Sequence, residues 1–142
     1  MCGESDIHLE IVVPNQTRYL SLIGNIAEEV ARALDDYSGD REALAYHLNL
    51  VLTEAMVNAI QHTLPADTRK TVRVCIYIAD KDLRIYVYDQ GQGFDLDAVP
   101  APDFDEPTER GRGIFLIRTL MDGVVYRKTD RGNVLEMHKK LE

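Results

Sequence analysis

Three short polar stretches, in this order along the chain, hold residue types that could do chemistry together. They are Glu54-Ala55-Met56-Val57-Asn58-Ala59-Ile60-Gln61-His62, then Asp89-Gln90-Gly91-Gln92-Gly93, then Gly111-Arg112-Gly113. The first lies in a helical pattern, and steps of four drift by only roughly 40° around a helix axis, so Glu54, Asn58 and His62 share one face. His47 and Gln61 fall near the same line, while Leu48, Leu52, Ala55 and Ala59 lie away from it. Taken alone, such a stripe reads as the solvated face of an amphipathic helix. Its narrowness and apolar flanks suit a cleft better. In a cleft, Glu54 could orient or deprotonate a hydroxyl or water. Asn58, one turn later, offers a neutral oxygen to a magnesium ion already held by phosphates.

The second stretch follows a strand-like run, and its plain reading is a turn, since Asp and Gly dominate turns. Its functional reading is a carboxylate, Asp89, that accepts from an exocyclic amine, with Gly91 and Gly93 letting backbone approach a ring and its sugar. The third stretch, Glu109-Arg110-Gly111-Arg112-Gly113-Ile114, reads plainly as a loop ending at a helix start. A glycine-rich helix start also presents unpaired N–H groups to phosphate oxygens, with Arg110 or Arg112 able to add charge. The Gly-x-x-x-x-Gly-Lys phosphate loop is not present. The combination points to a pocket with an acidic base, a metal ligand and room for a nucleotide.

The elements that must position these residues can be read from periodicity. Ile7, Leu9, Ile11 and Val13 alternate with polar residues and predict a strand that ends at Pro14. Asn15 is a fair N-cap for a helix running to about Asp36, with Tyr19, Leu22, Ile23, Ile26, Val30 and Leu34 at helical spacing. Ser38-Gly39-Asp40 makes a turn, Asp40 is a second candidate cap, and a long helix over 41–62 comes next, closed by Pro65. Strands are predicted over 71–78 and 83–88 with a hairpin turn at Ala79-Asp80-Lys81-Asp82. The stretch 90–110, with Pro100, Pro102 and Pro107, breaks the pattern, and a loop of that length is typically functional or disordered. A short helix over 114–121 and strands over 124–128 and 134–140, joined around Asp130-Arg131-Gly132, close the chain. This predicts an α+β fold, a two-layer α/β sandwich with a mixed, mostly antiparallel sheet and helices on one face.

Composition narrows the function. At 142 residues the chain is read as one domain, 1–142, with an ordinary 45 % apolar and 28 % charged content. Acidic residues outnumber basic ones, 24 to 16, for a net charge of −8, and no basic stripe offsets them, which argues against direct nucleic-acid binding. Cys2 and Cys75 have neither metal-ligand spacing nor the pattern of a disulfide framework. A reduced, cytoplasmic compartment is therefore expected. With neither a basic-then-apolar leader nor an apolar run long enough to span a bilayer, secretion and membrane insertion are both disfavoured.

Glu54-x-x-x-Asn58, Asp89-x-Gly91-x-Gly93 and Gly111-x-Gly113, in that order, resemble the boxes of the GHKL ATPase superfamily, which has the Bergerat nucleotide-binding fold. The resemblance is closest to the bacterial anti-sigma-factor serine-protein kinases and covers nearly the whole chain. Thr53 to His62 is similar to their helix, and Glu109 to Ile114 to the end of their lid. The resemblance implies ATP and Mg2+ as cofactors. It further implies that Asp89 meets the adenine amine with Gly93 close to the base, that Asn58 ligates magnesium, that Glu54 is the general base, and that His62 lies near the phosphates. The stretch 90–110 would form the lid. Two departures stand out: Gly132-Asn133 where the family often has Gly-Thr before the last strand, and a lid unusually rich in Pro and Asp.

The function implied by the resemblance is that of a kinase that phosphorylates a serine or threonine on a small STAS-domain antagonist and sequesters a sigma factor when the antagonist is unavailable. The family implies a homodimer. A second reading is a nucleotide-dependent binding module without useful catalysis, against which Glu54 counts, because a pure binder needs no base. A third is the catalytic domain of a histidine kinase, against which the lack of a dimerisation helix with a phosphoacceptor counts. The larger GHKL ATPases are disfavoured by length.

Overall fold

The computed structural model describes residues 6–34, 37–61, 70–90, 112–129 and 132–141. Strand β1 (Ile7–Pro14) has the expected alternation, with Val13 the most buried of its inward residues. It pairs antiparallel with β2 (Thr71–Ala79), so that Ile11 faces Val74 and Val13 faces Val72. After β1 the chain departs from expectation. A single 3-10 turn (Thr17–Tyr19) intervenes, and helix α1 (Leu20–Arg32) starts after Tyr19, with no side-chain cap. Asn15 is not an N-cap. It is 5 % exposed, and its amide N–H instead donates to the Lys70 carbonyl, extending the β1–β2 ladder by one residue. Helix α1 also stops at Arg32, short of Asp36.

Asp40 does cap the next helix, α2 (Arg41–Gln61), its Oδ1 accepting from the Glu42 and Ala43 amides at 3.0 and 3.2 Å. That satisfies donors a helix start otherwise leaves unpaired. Leu44, Leu48, Val51, Leu52, Ala55, Met56 and Ala59 on α2 are all within 2 % of complete burial. The helix is the centre of the core because it lies between α1 and α3 (Arg112–Leu120) and also touches β2 and β3 (Asp82–Asp89). Each of the leucine, valine and methionine side chains removed from water contributes about 1.5–3 kcal/mol against the ordering cost, the two alanines less.

The β2–β3 connection is a tight turn in which Asp80 and Lys81 both take positive φ, 51° and 66°, the twist a two-residue hairpin needs. Strands β4 (Gly123–Thr129) and β5 (Gly132–Lys140) come after α3, and the sheet order is β1-β2-β3-β5-β4. All four pairings are antiparallel, so the sheet is not mixed; the α+β architecture with helices over one face is as expected. Register matters at one end of the sheet, where Asp89 lies directly opposite Asn133. The other sheet face carries stacked His8 and Tyr77, ring centroids 4.4 Å apart, and Arg73 lying 4.2 Å over the Tyr88 ring. Among the described residues, no helix is long and apolar enough to cross a membrane.

Candidate functional site

Glu54 and Asn58 sit one turn apart on α2, and both are half-buried. From His47 to Ile60 the helix has no fully exposed residue, so their stripe is partly covered and not a fully solvated face. The wall opposite Glu54 is the first turn of α3. A Cβ added to Gly113 would lie 2.6 Å from Glu54 Oε2, closer than real Cβ contacts come. The absent side chain is what lets the carboxylate rest against that turn. A helix start carries partial positive charge and unpaired N–H groups, so it both holds a carboxylate and attracts phosphate.

Asp89 is the last residue of β3 and continues the buried alternation of Leu83, Ile85 and Val87 on the helix-covered face. It is 7 % exposed, and a buried carboxylate is costly unless hydrogen-bonded. Asn133, 5 % exposed on β5, supplies a donor: its Nδ2 gives a hydrogen bond to Asp89 Oδ1 at 2.9 Å. The start of β5 is held close by two further features. Gly132 has φ +134°, and a Cβ there would overlap the Asp89 carbonyl oxygen. Thr129 Oγ1 donates to the Gly132 carbonyl at 2.7 Å, fastening β4 to the same corner.

A cavity of about 360 Å³ borders Asp89 and Asn133, but Val12, Arg73, Tyr88 and Thr129 make up much of its wall. Val12, Arg73 and Tyr88 alternate with the buried residues on their strands, so this cavity meets Asp89 from the face away from α2. Neither Glu54 nor Asn58 lines it.

The structure thus brings Glu54 against Gly113, sets Asn58 beside them on α2, and puts Asp89 on the same helix-covered side of the sheet. Of the other residues expected at the site, His62, Gly91, Gly93, Arg110 and Gly111 lie outside the described residues, as does nearly all of the 90–110 loop. Two relationships are not visible in the sequence pattern. Gly113 stands out there for phosphate contact, yet it also makes room for Glu54. Asn133 registers only as a departure from the family, although it is a partner of Asp89; knowledge of the β3–β5 register would have revealed that.

Residues 13–139 match the histidine kinase-like ATPase domain family. The serine-protein kinase RsbW of Bacillus subtilis is 30 % identical over 125 residues, covering 82 % of this chain and 76 % of that protein. RsbW of Halalkalibacterium halodurans is 31 % identical over 142 residues, covering 94 % and 83 %. Among solved structures, one containing the RsbU and RsbW domains of a Mycobacterium tuberculosis protein superposes with TM-score 0.67 at 16 % identity, covering 95 % of this chain and 32 % of that one. The histidine kinase domain of an Erythrobacter litoralis blue-light activated kinase superposes with TM-score 0.53 at 19 % identity, covering 90 % and 61 %. These two structural likenesses concern the fold.

Proposed function

The chain belongs to the family of histidine kinase-like ATPase domains, and from that membership we propose that it is an ATP-dependent protein-serine/threonine kinase and anti-sigma factor. It phosphorylates a small STAS-domain antagonist and sequesters a sigma factor while that antagonist is unavailable. It does so as a cytoplasmic homodimer. The relatives at 30 and 31 % identity, named as serine-protein kinases, support the kinase reading.

The observation that carries the reading is the Glu54 carboxylate lying against the first turn of α3, in space that only a glycine at 113 leaves open. A base and a phosphate-attracting helix start are then neighbours, as transfer of a phosphoryl group to a hydroxyl requires. The donors fit a magnesium nucleotide, since Asn58 offers a hard oxygen ligand of the kind magnesium takes alongside phosphate and water, and Glu54 beside it stays available as a base. When bound, the ion spreads and neutralises phosphate charge. Asn58 would hold it, the α3 N–H groups would meet phosphate oxygens, and Asp89 would accept from the base amine. Glu54 takes the proton of the acceptor hydroxyl as its oxygen bonds to the γ-phosphorus and the bond to the departing ADP breaks.

The test begins with a pull-down from native cell extract, with ATP or ADP present, and mass spectrometry of the bound proteins. Captured proteins are then incubated with ATP and either wild type or Glu54→Gln. Phosphorylated serine or threonine from wild type, with the rate reduced by about 10²–10⁴-fold in the variant and ATP affinity retained, supports the reading. ATP-dependent capture without any phosphoryl transfer replaces it with a binding regulator.

A further inference from the structure

We propose that Asn49 is a positioning residue for Glu54: its hydrogen bond to Glu28 on α1 sets the rotation of α2 about its own axis, and with it the direction in which the Glu54 carboxylate leaves the helix. The inference rests on the reading of Glu54 as the base above and adds a residue that acts through it from another side of α2.

The apolar pattern of α2 does not by itself choose one rotation. The buried stripe that runs from Leu44 to Ala59 covers one side of the helix. The opposite side carries Leu50 and Val57, both half-buried, and Tyr46, which is 62 % exposed. A helix apolar on both sides can turn by a few degrees without trading apolar surface for polar, so burial opposes such a turn only weakly. Catalysis is less tolerant. A side chain reaching about 6 Å from the helix axis moves by about 1 Å for each 10° of rotation. A misplacement of about 1 Å costs on the order of 10²-fold in rate.

A polar clamp on α1 supplies the missing constraint. Asn49 and Thr53 lie roughly 140° and 100° around the helix from Glu54. Gly24 lets α1 come close to both, since a Cβ there would lie 2.5 Å from Asn49 Oδ1 and 3.0 Å from Thr53 Oγ1. Thr53 Oγ1 donates to Asn49 Oδ1 at 3.0 Å, which turns the carboxamide so that its Nδ2 donates to Glu28 Oε1 at 2.9 Å. Glu28 is held in turn, its Oε2 lying 3.6 Å from Arg32 Nη1. Hydrogen bonds weaken steeply with angular error, so this one resists the rotation that apolar contacts permit. A rotation fixed against α1 is then read out against α3, where Glu54 meets Gly113. A single polar residue that sets register in an apolar helix interface works by the same physics.

The experiment reads the position of residue 54 directly. In the full-length chain carrying Cys2→Ser, Glu54→Cys and Gly113→Cys form the reporter pair. The Cβ of residue 54 lies 3.6 Å from the place of a Cβ at 113, within disulfide range. Closure is titrated against a glutathione buffer in the reference chain and with Glu28→Gln, Glu28→Leu or Asn49→Leu added, alongside thermal unfolding. Gln keeps the acceptor, Leu at 28 removes it without touching α2, and Leu at 49 removes the donor. Glu28→Gln should close like the reference. Glu28→Leu and Asn49→Leu should close at least about tenfold less favourably, at melting temperatures close to that of Glu28→Gln. With Glu54 and Gly113 restored, both leucine variants should lose about tenfold or more in phosphoryl transfer to the captured proteins at saturating ATP, with ATP affinity retained. They should add little to the loss in Glu54→Gln. Equal closure in all three variants would overturn the role given to Asn49, as would a loss of closure matched by a fall in melting temperature. Closure that depends on the clamp, together with wild-type transfer in Glu54→Gln, would overturn instead the assignment of Glu54 as the base.

Discussion

Replacing Gly113 with alanine separates catalysis from stability in a way the structure makes quantitative. The new Cβ would lie 2.6 Å from Glu54 Oε2, whereas ordinary contact begins near 3.4 Å, so the oxygen must retreat by about 0.8 Å. The next Glu54 atoms, Cδ and Cβ, are already at 3.5 and 3.6 Å, so only the carboxylate head has to move. Helix α3 cannot easily yield in its place, because Ile114 and Ile117 hold it in the core at 5 and 0 % exposure, and moving it would open cavities. The carboxylate is the far end of a flexible side chain and rotates at little cost. Stability should therefore hold or rise, since alanine exceeds glycine by up to about 1 kcal/mol within a helix. Catalysis should not hold: misplacing a reacting group by about 1 Å costs on the order of 10²-fold. The assay is phosphoryl transfer to the captured substrate at saturating ATP, alongside a thermal melt. Adding Gly113→Ala to Glu54→Gln should cost little more, because both act on one group. A Gly113→Ala protein that transfers phosphate at the wild-type rate would refute the reasoning.

Two further outcomes are expected from the sheet. Gly132→Ala must place a side chain at φ +134° and against the Asp89 carbonyl, so it should lose at least about 2 kcal/mol in chemical denaturation; a loss below about 0.5 kcal/mol would contradict that geometry. His138 Nε2 lies 3.1 Å from Asp82 Oδ1, and the hydrogen bond between them, more than any other cause, holds the Asp82 carboxyl below its ordinary range. A depressed carboxyl contributes stability above its unfolded value, about 3.9, and that contribution is lost as pH falls through the folded value. Asp82→Asn should therefore flatten the acid limb of a Tm-versus-pH curve below roughly pH 4. An acid limb as steep as that of wild type would show that the contact carries no pH dependence.

Much of this protein was legible in its sequence wherever the signal was local. The alternation of Ile7, Leu9, Ile11 and Val13 announced an inward strand face, and Asp40 ahead of a periodic run announced a capped helix. The step of four from Glu54 to Asn58 put both on one stripe, because a helix repeats over less than four residues. Local signals failed at Asn15, a residue type that caps helices in isolation, which the β1–β2 ladder drew into the sheet edge. The antiparallel insertion of β5 between β3 and β4 was also out of reach, since strand order depends on which edges meet after the helices dock. The same limit governs the candidate site. Sequence named Glu54, Asp89 and Gly113 individually, from residue type and spacing. Only the packing of α3 on α2 placed the missing side chain of Gly113 against Glu54. Only the β3–β5 register brought together Asp89 and Asn133, which are 44 residues apart, because a pairing shifted by one residue would send the two side chains to opposite faces.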